Sequence, residues 1–425
     1  MKWIRISLLL IAPTVLVLWL ALYSINCPIG DEWALAPIVQ KSYEGSLTFQ
    51  DLWKPHNEHR VVFPKFILLQ IVRWSRWNVG YELALNVGLG ICIFLLLLHL
   101  LKRSRFESKW LPGIISVMVF SLNQSENWFN GWQMQIFLNV FAVLMGIAVL
   151  TRNVTGWLHV IAAILLGIVA TFSFAGGILF WPIGFLILCV RRAGAAKLSV
   201  WIALTVVILI AYLYGYSKPA YHPSFSESLS HPFLYLSYVG TYLGSPLAAF
   251  TRKFAALDQM PAIVGFAGIV ILASCLLRIR AERLLSAEQL LPFVAAAGYS
   301  VLAAFLSGFG RAGLGIVNAL SLRYVTISSF LWITDAVLLY HLISHREKQK
   351  IPIFLLSGIL SLTVLNSVYG ALYARKQYYF LLPAKQELLR LEDDELLKRL
   401  HYDPDTLRPH VEMLRKYRLS VFRYP

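Results

Sequence analysis

Long apolar runs separated by short polar segments repeat along almost the whole chain. Most of these runs have the length of a helix that crosses the hydrocarbon core of a bilayer. Because that core offers no water to backbone polar groups, a crossing segment is a helix or a barrel strand, and continuous apolar sequence excludes the barrel. The pattern predicts an all-α polytopic membrane protein with about 11 transmembrane helices. They lie near residues 6–25, 81–101, 111–122, 134–150, 157–172, 178–190, 198–215, 261–277, 289–306, 325–343 and 352–370.

Two stretches outside these runs have a different pattern. Residues 27–79 are predicted to form the first extracytoplasmic loop, in which "VVFPKFILLQIVRW" is too short to span and is typical of an interfacial helix. The last stretch, 371–425, reads as short amphipathic helices broken at "DPD". The sequence therefore predicts a transmembrane domain over residues 1–370 and a short extracytoplasmic helical tail over 371–425.

Basic residues indicate the orientation, since short cytoplasmic loops collect Lys and Arg. Lys2 and Arg5 place the N-terminus in the cytoplasm. The later basic loops, such as "RIRAER" and "HREKQK", stay on that side only if the apolar segment 233–250 does not cross the membrane. We therefore interpret 233–250 as a re-entrant or interfacial helix in a multi-pass protein of a bacterial-type cytoplasmic (inner) membrane.

Composition supports this class and argues against others. Hydrophobic residues make up 58% of the chain and charged residues 14%, unlike a soluble globular protein. The net charge of +16 gathers in the loops expected to be cytoplasmic, so a lipid bilayer is the expected partner and nucleic acid is not. The four cysteines form no CxxC pair, which argues against a zinc site or a disulfide framework.

Polar residues of several kinds gather on the face expected to be extracytoplasmic. The pair Asp31 and Glu32, in "CPIGDEWALAP", directly follows the first span and supplies a candidate general base. Basic side chains can neutralise a phosphate, and aromatic rings can stack on a sugar. The candidate phosphate-binding residues are Lys54, Arg60, Arg311 and Arg323, and the candidate substrate-binding residues are His56, Glu58, His59, Trp128, Trp132 and Tyr324.

Each candidate also has an ordinary structural interpretation. Gly30-Asp31 is common turn chemistry, and the run "KPHNEHR" is compatible with a solvated loop. The arginines can anchor a helix at the interface, and the tryptophans can belong to the aromatic belt. Arg311 and Arg323 stand against the expected charge bias, which favours a phosphate-binding role.

The first exit loop with its acidic pair, followed by interfacial helices and a basic residue, resembles the GT-C superfamily of polyprenyl-phosphate-sugar-dependent glycosyltransferases. Protein O-mannosyltransferases and lipid A aminoarabinose transferases belong to this group. The segments "HNEHR" and "RAGLGIVNALSLRY" look like patterns in related bacterial membrane proteins. The resemblance implies transfer of a sugar, with inversion, from a polyprenyl phosphate to a hydroxyl of a cell-envelope glycan, lipid or protein.

The resemblance also implies roles for particular residues. Asp31 takes the place of the first-loop base, with Glu32 as its neighbour. Some members of the group hold a divalent cation with this acid, so Mg²⁺ or Mn²⁺ is the cofactor to test. Its ligands are not indicated by the sequence.

Two other functional classes stay open. A transporter or flippase for a lipid-linked sugar needs polar residues through the membrane depth, and Asp335 within the tenth predicted span fits it. A membrane acyltransferase that modifies surface polysaccharide favours a histidine base, for which His56 and His59 are candidates.

Overall fold

A computed structural model describes residues 2–106, 108–152, 156–216, 230–345 and 349–423. Within these ranges the chain is helical and contains no β-strand, which confirms the predicted all-α fold. The helices are α1 (Lys2–Tyr23), α2 (Ala36–Glu44), α3 (Phe49–Trp53), α4 (Val62–Ser75), α5 (Val79–Arg103), α6 (Leu111–Val119), α7 (Ser125–Trp128), α8 (Met134–Leu150), α9 (Trp157–Thr171), α10 (Phe180–Val190), α11 (Ala195–Leu213), α12 (Pro232–Ala248), α13 (Met260–Ala281), α14 (Ala287–Arg311), α15 (Val325–His345), α16 (Lys350–Glu387), α17 (Asp394–Leu397) and α18 (Pro404–Tyr417).

Eight segments of the described chain are helices long and apolar enough to cross a membrane, and they indicate a lipid bilayer environment. They are built on α1, α5, α8, α11, α13, α14, α15 and α16. The other three predicted spans are shorter helices: α6 has 9 residues, α9 has 15 and α10 has 11. The eleven predicted spans therefore correspond to eight helices of spanning length and three shorter ones.

The ambiguous segment 233–250 forms α12, a 17-residue helix that packs closely along α13. A Cβ atom on Gly244 would lie 1.9 Å from the Pro261 carbonyl oxygen, and one on Gly265 would lie 1.9 Å from the Gly240 carbonyl oxygen. Only glycine permits these backbones to come so close. That α12 does not cross the membrane stays a prediction. In the basic loop "HREKQK", residues 346–348 lie outside the described residues.

The predicted interfacial segment is the 14-residue helix α4, and α16 is a single helix of 38 residues. The expected start of the tail, Ala371, lies inside α16, and the chain leaves this helix only after Glu387. The change from apolar to polar sequence near residue 371 marks a change of surroundings along one helix and not its end. The helix continues through Pro383 and through Gly370, where a Cβ atom would lie 1.9 Å from the Leu122 carbonyl oxygen.

The chain after α16 folds back onto the first loop. It buries a set of leucines that belong to the common apolar core: Leu388, Leu397, Leu400, Leu407, Leu414 and Leu419. The Gly30 N–H donates to the Leu400 carbonyl at 2.7 Å, and the Ser420 N–H donates to the Arg76 carbonyl at 2.8 Å. The tail therefore holds the segment that carries Asp31.

Candidate functional site

Two cavities meet where the first loop lies against the ends of α14 and α16. The first, which we call the apolar cavity, has a volume of about 440 Å³ and a mostly apolar lining. The second, which we call the tail cavity, has a volume of about 390 Å³ and includes Arg399 from the chain after α16. Asp31, Gln133 and Arg323 line both cavities. The acidic residue singled out in the sequence therefore stands at their junction.

A tight two-residue turn in the first loop positions the histidines. The His56 N–H donates to the His59 carbonyl at 2.8 Å, and the His59 N–H donates back at 2.9 Å. Asn57 takes a positive φ of 50°, which asparagine tolerates better than most residues. The turn brings His56, Asn57, Glu58 and His59 to the wall of the apolar cavity.

Asp31 lies beside His56 at the mouth of this turn. The distance from His56 Nε2 to Asp31 Oδ1 is 3.7 Å, and the Asp31 side chain is 50% exposed, so solvent or substrate can reach it. The interaction with His56, together with the charges of Arg323 and His59, lowers the pKa of Asp31 despite partial burial. Trp132 backs the His56 ring edge-on, with 5.1 Å between ring centroids. Asp31 is therefore an ionised, accessible carboxylate held next to an imidazole.

Glu58 and Arg311 form an ion pair on the wall of the apolar cavity. Arg311 Nη1 also donates to the Tyr324 hydroxyl at 2.7 Å. Burial alone would raise the pKa of Glu58, but His59 and the Arg311 guanidinium outweigh it and lower this pKa to about 2. Glu58 therefore stays ionised, and it neutralises part of the Arg311 charge.

His59 is a neutral part of the same group. Its Nδ1 accepts a hydrogen bond from the Ala175 N–H at 3.2 Å, so the neutral ring carries its proton on Nε2, which lies 3.3 Å from Glu58 Oε1. Burial lowers the pKa of His59 to about 4. Phe174, at the tip between α9 and α10, stacks on the ring at 4.4 Å between centroids. His59 thus orients Glu58 and carries no charge at neutral pH.

Arg323 differs from Arg311 in its surroundings. Its Nε donates to the Ser321 hydroxyl at 2.9 Å, and its backbone N–H donates to Glu126 Oε2 at 3.2 Å. Ser321 in turn donates to the same Glu126 oxygen at 2.7 Å. The Arg323 guanidinium makes no ion pair with a carboxylate of the described residues. It is a cation without a direct ion pair at the junction of the two cavities, and its charge acts on Asp31.

Glu32 lies away from both cavities. It is fully buried, and one of its oxygens accepts a hydrogen bond from Trp77 Nε1 at 3.3 Å. Burial raises the pKa of Glu32 to about 7, although hydrogen bonds from its surroundings act in the opposite direction. Adjacent residues of the short helical turn Gly30–Leu35 point in different directions, so Asp31 reaches the cavities while Glu32 enters the core.

Neither Arg60 nor Lys54 lines either cavity. The Arg60 guanidinium is buried and donates to the carbonyls of Tyr212 at 2.5 Å and Trp53 at 2.9 Å, and also to that of Tyr214. It fastens the end of α11 to the first loop. The Lys54 side chain is exposed, and its carbonyl accepts a hydrogen bond from Lys65 at 2.6 Å.

The two tryptophans proposed as sugar platforms belong to the packed interior. Trp128 donates to the Ser121 carbonyl at 3.1 Å and stacks on Phe137 at 4.4 Å between ring centroids. Trp132 is buried and supports His56. Of the residues predicted from the sequence, six line the apolar cavity together with Asp31: His56, Glu58, His59, Arg311, Arg323 and Tyr324.

Sequence reasoning missed the residues that define the tail cavity. Gln133, Gln377 and Arg399 line it, and each stands in a stretch where polar residues are common. Arg399 lies 368 positions from Asp31 along the chain, and the basic tail contains many similar residues. Only the three-dimensional contact separates it from them.

The described residues contain no group of three or more His, Cys, Asp or Glu side chains that could hold a metal ion. Asp31 and His56 together supply one carboxylate and one imidazole, whereas Mg²⁺ usually takes one or two carboxylates together with phosphate oxygens of a substrate. The described residues therefore contain no preformed cluster of three or more such ligands.

Comparison of the chain with protein-family models, curated proteins and solved structures finds no match.

Proposed function

We propose that the protein transfers a sugar from a polyprenyl phosphate to an acceptor hydroxyl on the extracytoplasmic side of the membrane. One observation carries this proposal: the ionised Asp31 and Arg323, which has no direct ion pair among the described residues, line the same junction between a mostly apolar cavity and a second, more polar one. A base and a cation at such a junction suit a reaction in which a hydroxyl displaces a lipid phosphate.

The reaction is a single displacement at the anomeric carbon. The acceptor oxygen forms a bond to this carbon while the bond to the phosphate oxygen breaks, so the configuration inverts. Asp31 accepts the hydroxyl proton, and the electron pair of the broken bond leaves with the phosphate. His56, 3.7 Å from the carboxylate, positions Asp31 and favours its ionised form.

Arg323 and Arg311 have different roles toward the phosphate. The Arg323 guanidinium, which has no direct carboxylate partner, can stabilise the negative charge that develops on the leaving phosphate. Arg311 is already paired with Glu58 and offers its remaining N–H donors for positioning.

The apolar cavity offers a surface for the start of the lipid chain. Besides the charged group, its lining includes Ile136, Ile178, Leu213 and Leu306. Leu213 ends α11 and Leu306 belongs to α14, both helices of spanning length. A prenyl chain that leaves the phosphate along these side chains stays in apolar surroundings.

The pair of Asp31 and His56 also favours a second candidate. A histidine oriented by a carboxylate is the arrangement of a base in acyl transfer. In that reaction His56 deprotonates the acceptor and Asp31 only orients it. Replacement of His56 should then be as harmful as replacement of Asp31, whereas sugar transfer should depend mainly on Asp31. The flippase alternative gains no comparable observation, since Asp335 lines neither cavity.

The test is sugar transfer by the purified protein in detergent. A panel of polyprenyl-phosphate sugars is offered with a cell-envelope extract as acceptor, and release of polyprenyl phosphate is followed with and without a chelator. We compare the wild type with Asp31→Asn and with Asp258→Asn, an exposed carboxylate outside both cavities. We expect Asp31→Asn to lower the rate by about 10²-fold or more, the usual worth of a general base, and Asp258→Asn to leave it unchanged.

The possible results test three points separately: the role of Asp31, sugar transfer itself and the participation of a metal ion. Release of polyprenyl phosphate that persists in Asp31→Asn refutes the role of Asp31 as the base but is compatible with sugar transfer. Release from no sugar donor, with the protein folded, refutes sugar transfer. Loss with the chelator would show that a metal takes part through ligands other than a preformed group in the described residues.

A further inference from the structure

The tail cavity has the chemistry of a carbohydrate site. Its lining combines aromatic rings with amide side chains, which respectively stack on sugar faces and bind sugar hydroxyls. The main contributors are Tyr23, Phe129, Tyr373, Asn130, Gln133 and Gln377. This mixture differs from the aliphatic lining of the apolar cavity.

One cation in this cavity is held in place and free to bind. Arg399 Nη1 donates to the Phe380 carbonyl at 3.1 Å, and its guanidinium lies 4.7 Å from the centroid of the Phe380 ring. It makes no ion pair with a carboxylate of the described residues. Glu126, the other acid of the cavity besides Asp31, already accepts hydrogen bonds from Ser321 and from the Arg323 backbone. The remaining N–H donors of Arg399 are therefore available to an anionic group.

The backbone couples Arg399 to Asp31. The Gly30 N–H donates a hydrogen bond to the Leu400 carbonyl at 2.7 Å. Gly30 precedes Asp31 and Leu400 follows Arg399, so this bond links the two backbone segments. Gly30 takes a positive φ of 58°, which glycine adopts without strain. A ligand group bound by Arg399 would thus have a defined position relative to the base.

We infer that the tail cavity is the acceptor site, and that the acceptor is a carbohydrate carrying a carboxylate or phosphate group bound by Arg399. This inference rests on the proposed sugar transfer, because it assigns the acceptor of that reaction. The C-terminal tail is then part of the substrate site, and Arg399 determines specificity for an anionic acceptor.

Binding is measured first, in the absence of any donor. The purified full chain in detergent is titrated with three oligosaccharides of equal length: one with uronic acids, one with phosphate groups and one without charge. We expect at least one charged oligosaccharide to bind about tenfold more tightly than the neutral one, the worth of one charge-assisted contact. Arg399→Ala should abolish this difference, and Arg399→Lys should retain part of it.

Lys398→Ala is the matched control, since it removes a neighbouring positive charge that is paired with Glu395 and lies outside the cavity. It should leave the preference unchanged. An equal effect of Lys398→Ala, or equal binding of charged and neutral oligosaccharides by the wild type, would refute the role of Arg399.

Transfer is measured second, with a donor that the wild type uses. Arg399→Ala should raise the KM for the charged acceptor about tenfold, since one charge-assisted contact is lost, and leave kcat within about twofold. Hydrolysis of the donor by water should be unaffected. Transfer without any preference for charge would refute this inference alone. A preference for charged oligosaccharides without transfer to them would refute their role as acceptors and count against the proposed function.

Discussion

Replacement of Glu32 by glutamine should change how the stability of the protein depends on pH. Glu32 is fully buried, and burial raises its pKa from an ordinary 4.5 to about 7. Between these two values the unfolded chain loses its proton while the folded protein keeps it. The contribution of Glu32 is therefore fully present below pH 4.5 and is lost as the pH rises to about 7. Glutamine has the same shape and does not titrate.

The magnitude follows from the size of the shift. A difference of about 2.5 pKa units corresponds to about 3 kcal/mol of unfolding free energy. His59 acts in the opposite direction: its pKa is lowered from 6.5 to about 4, so its contribution is present above pH 6.5 and is lost toward pH 4.

The assay is thermal unfolding in detergent followed by tryptophan fluorescence, from pH 4.5 to pH 8. Relative to the wild type, Glu32→Gln should gain about 3 kcal/mol between pH 4.5 and 7, and no more above pH 7. With an unfolding entropy of about 2 cal/mol/K per residue over 425 residues, this gain is a shift of about 3.5 °C in Tm.

Glu412→Gln is the control, because Glu412 lies on the exposed face of α18. Its difference from the wild type should not vary with pH over this range. A difference between Glu32→Gln and the wild type that is the same at pH 4.5 and pH 8 would refute the raised pKa of Glu32.

Two further predictions concern packing. Arg60→Ala should lower the unfolding free energy by about 2–4 kcal/mol, because buried carbonyls including those of Tyr212 and Trp53 lose their donor, and it should leave the KM for the donor unchanged in the folded fraction. A rise in this KM would restore the phosphate-binding role. Gly244→Ala should cost several kcal/mol, since its Cβ would overlap the Pro261 carbonyl oxygen, whereas Gly298→Ala, with open space around its Cβ, should stabilise α14 by about 0.5–1 kcal/mol. Thermal unfolding measures both, and equal stability of the two alanine variants would contradict the close packing of α12 on α13.

The spans were predictable because the length of an apolar run is a local property of the sequence. Eight of the eleven predicted spans coincide with helices of spanning length, the other three are shorter helices, and α16 continues to Glu387. Its continuation beyond residue 371 was missed because hydropathy reports the surroundings of a helix and not its hydrogen bonds. Length and periodicity thus predicted most of the fold.

The residues that line the cavities could be predicted only where their position in the sequence was unusual. Asp31 was found because it directly follows the first span, and the turn His56–His59 because several ionisable residues occur together. Trp128 lies in the same kind of stretch, yet it fills a space left by Gly90, whose Cβ would lie 2.6 Å from the indole. No local pattern distinguishes such a core tryptophan from one that faces a ligand.

Arg311 has a carboxylate partner and Arg323 has none among the described residues, and this difference suggests different roles for them in the proposed reaction. A sugar phosphodiester carries one negative charge, and its phosphate gains a further charge as the bond to the sugar breaks. An interaction that becomes stronger as this charge develops accelerates the reaction. An interaction that is equally strong in the bound donor and in the transition state does not. Arg311, neutralised in part by Glu58, suits the donor before reaction. Arg323 has no carboxylate partner among the described residues and stands beside Asp31, so its attraction increases as the phosphate leaves and the proton moves to the base.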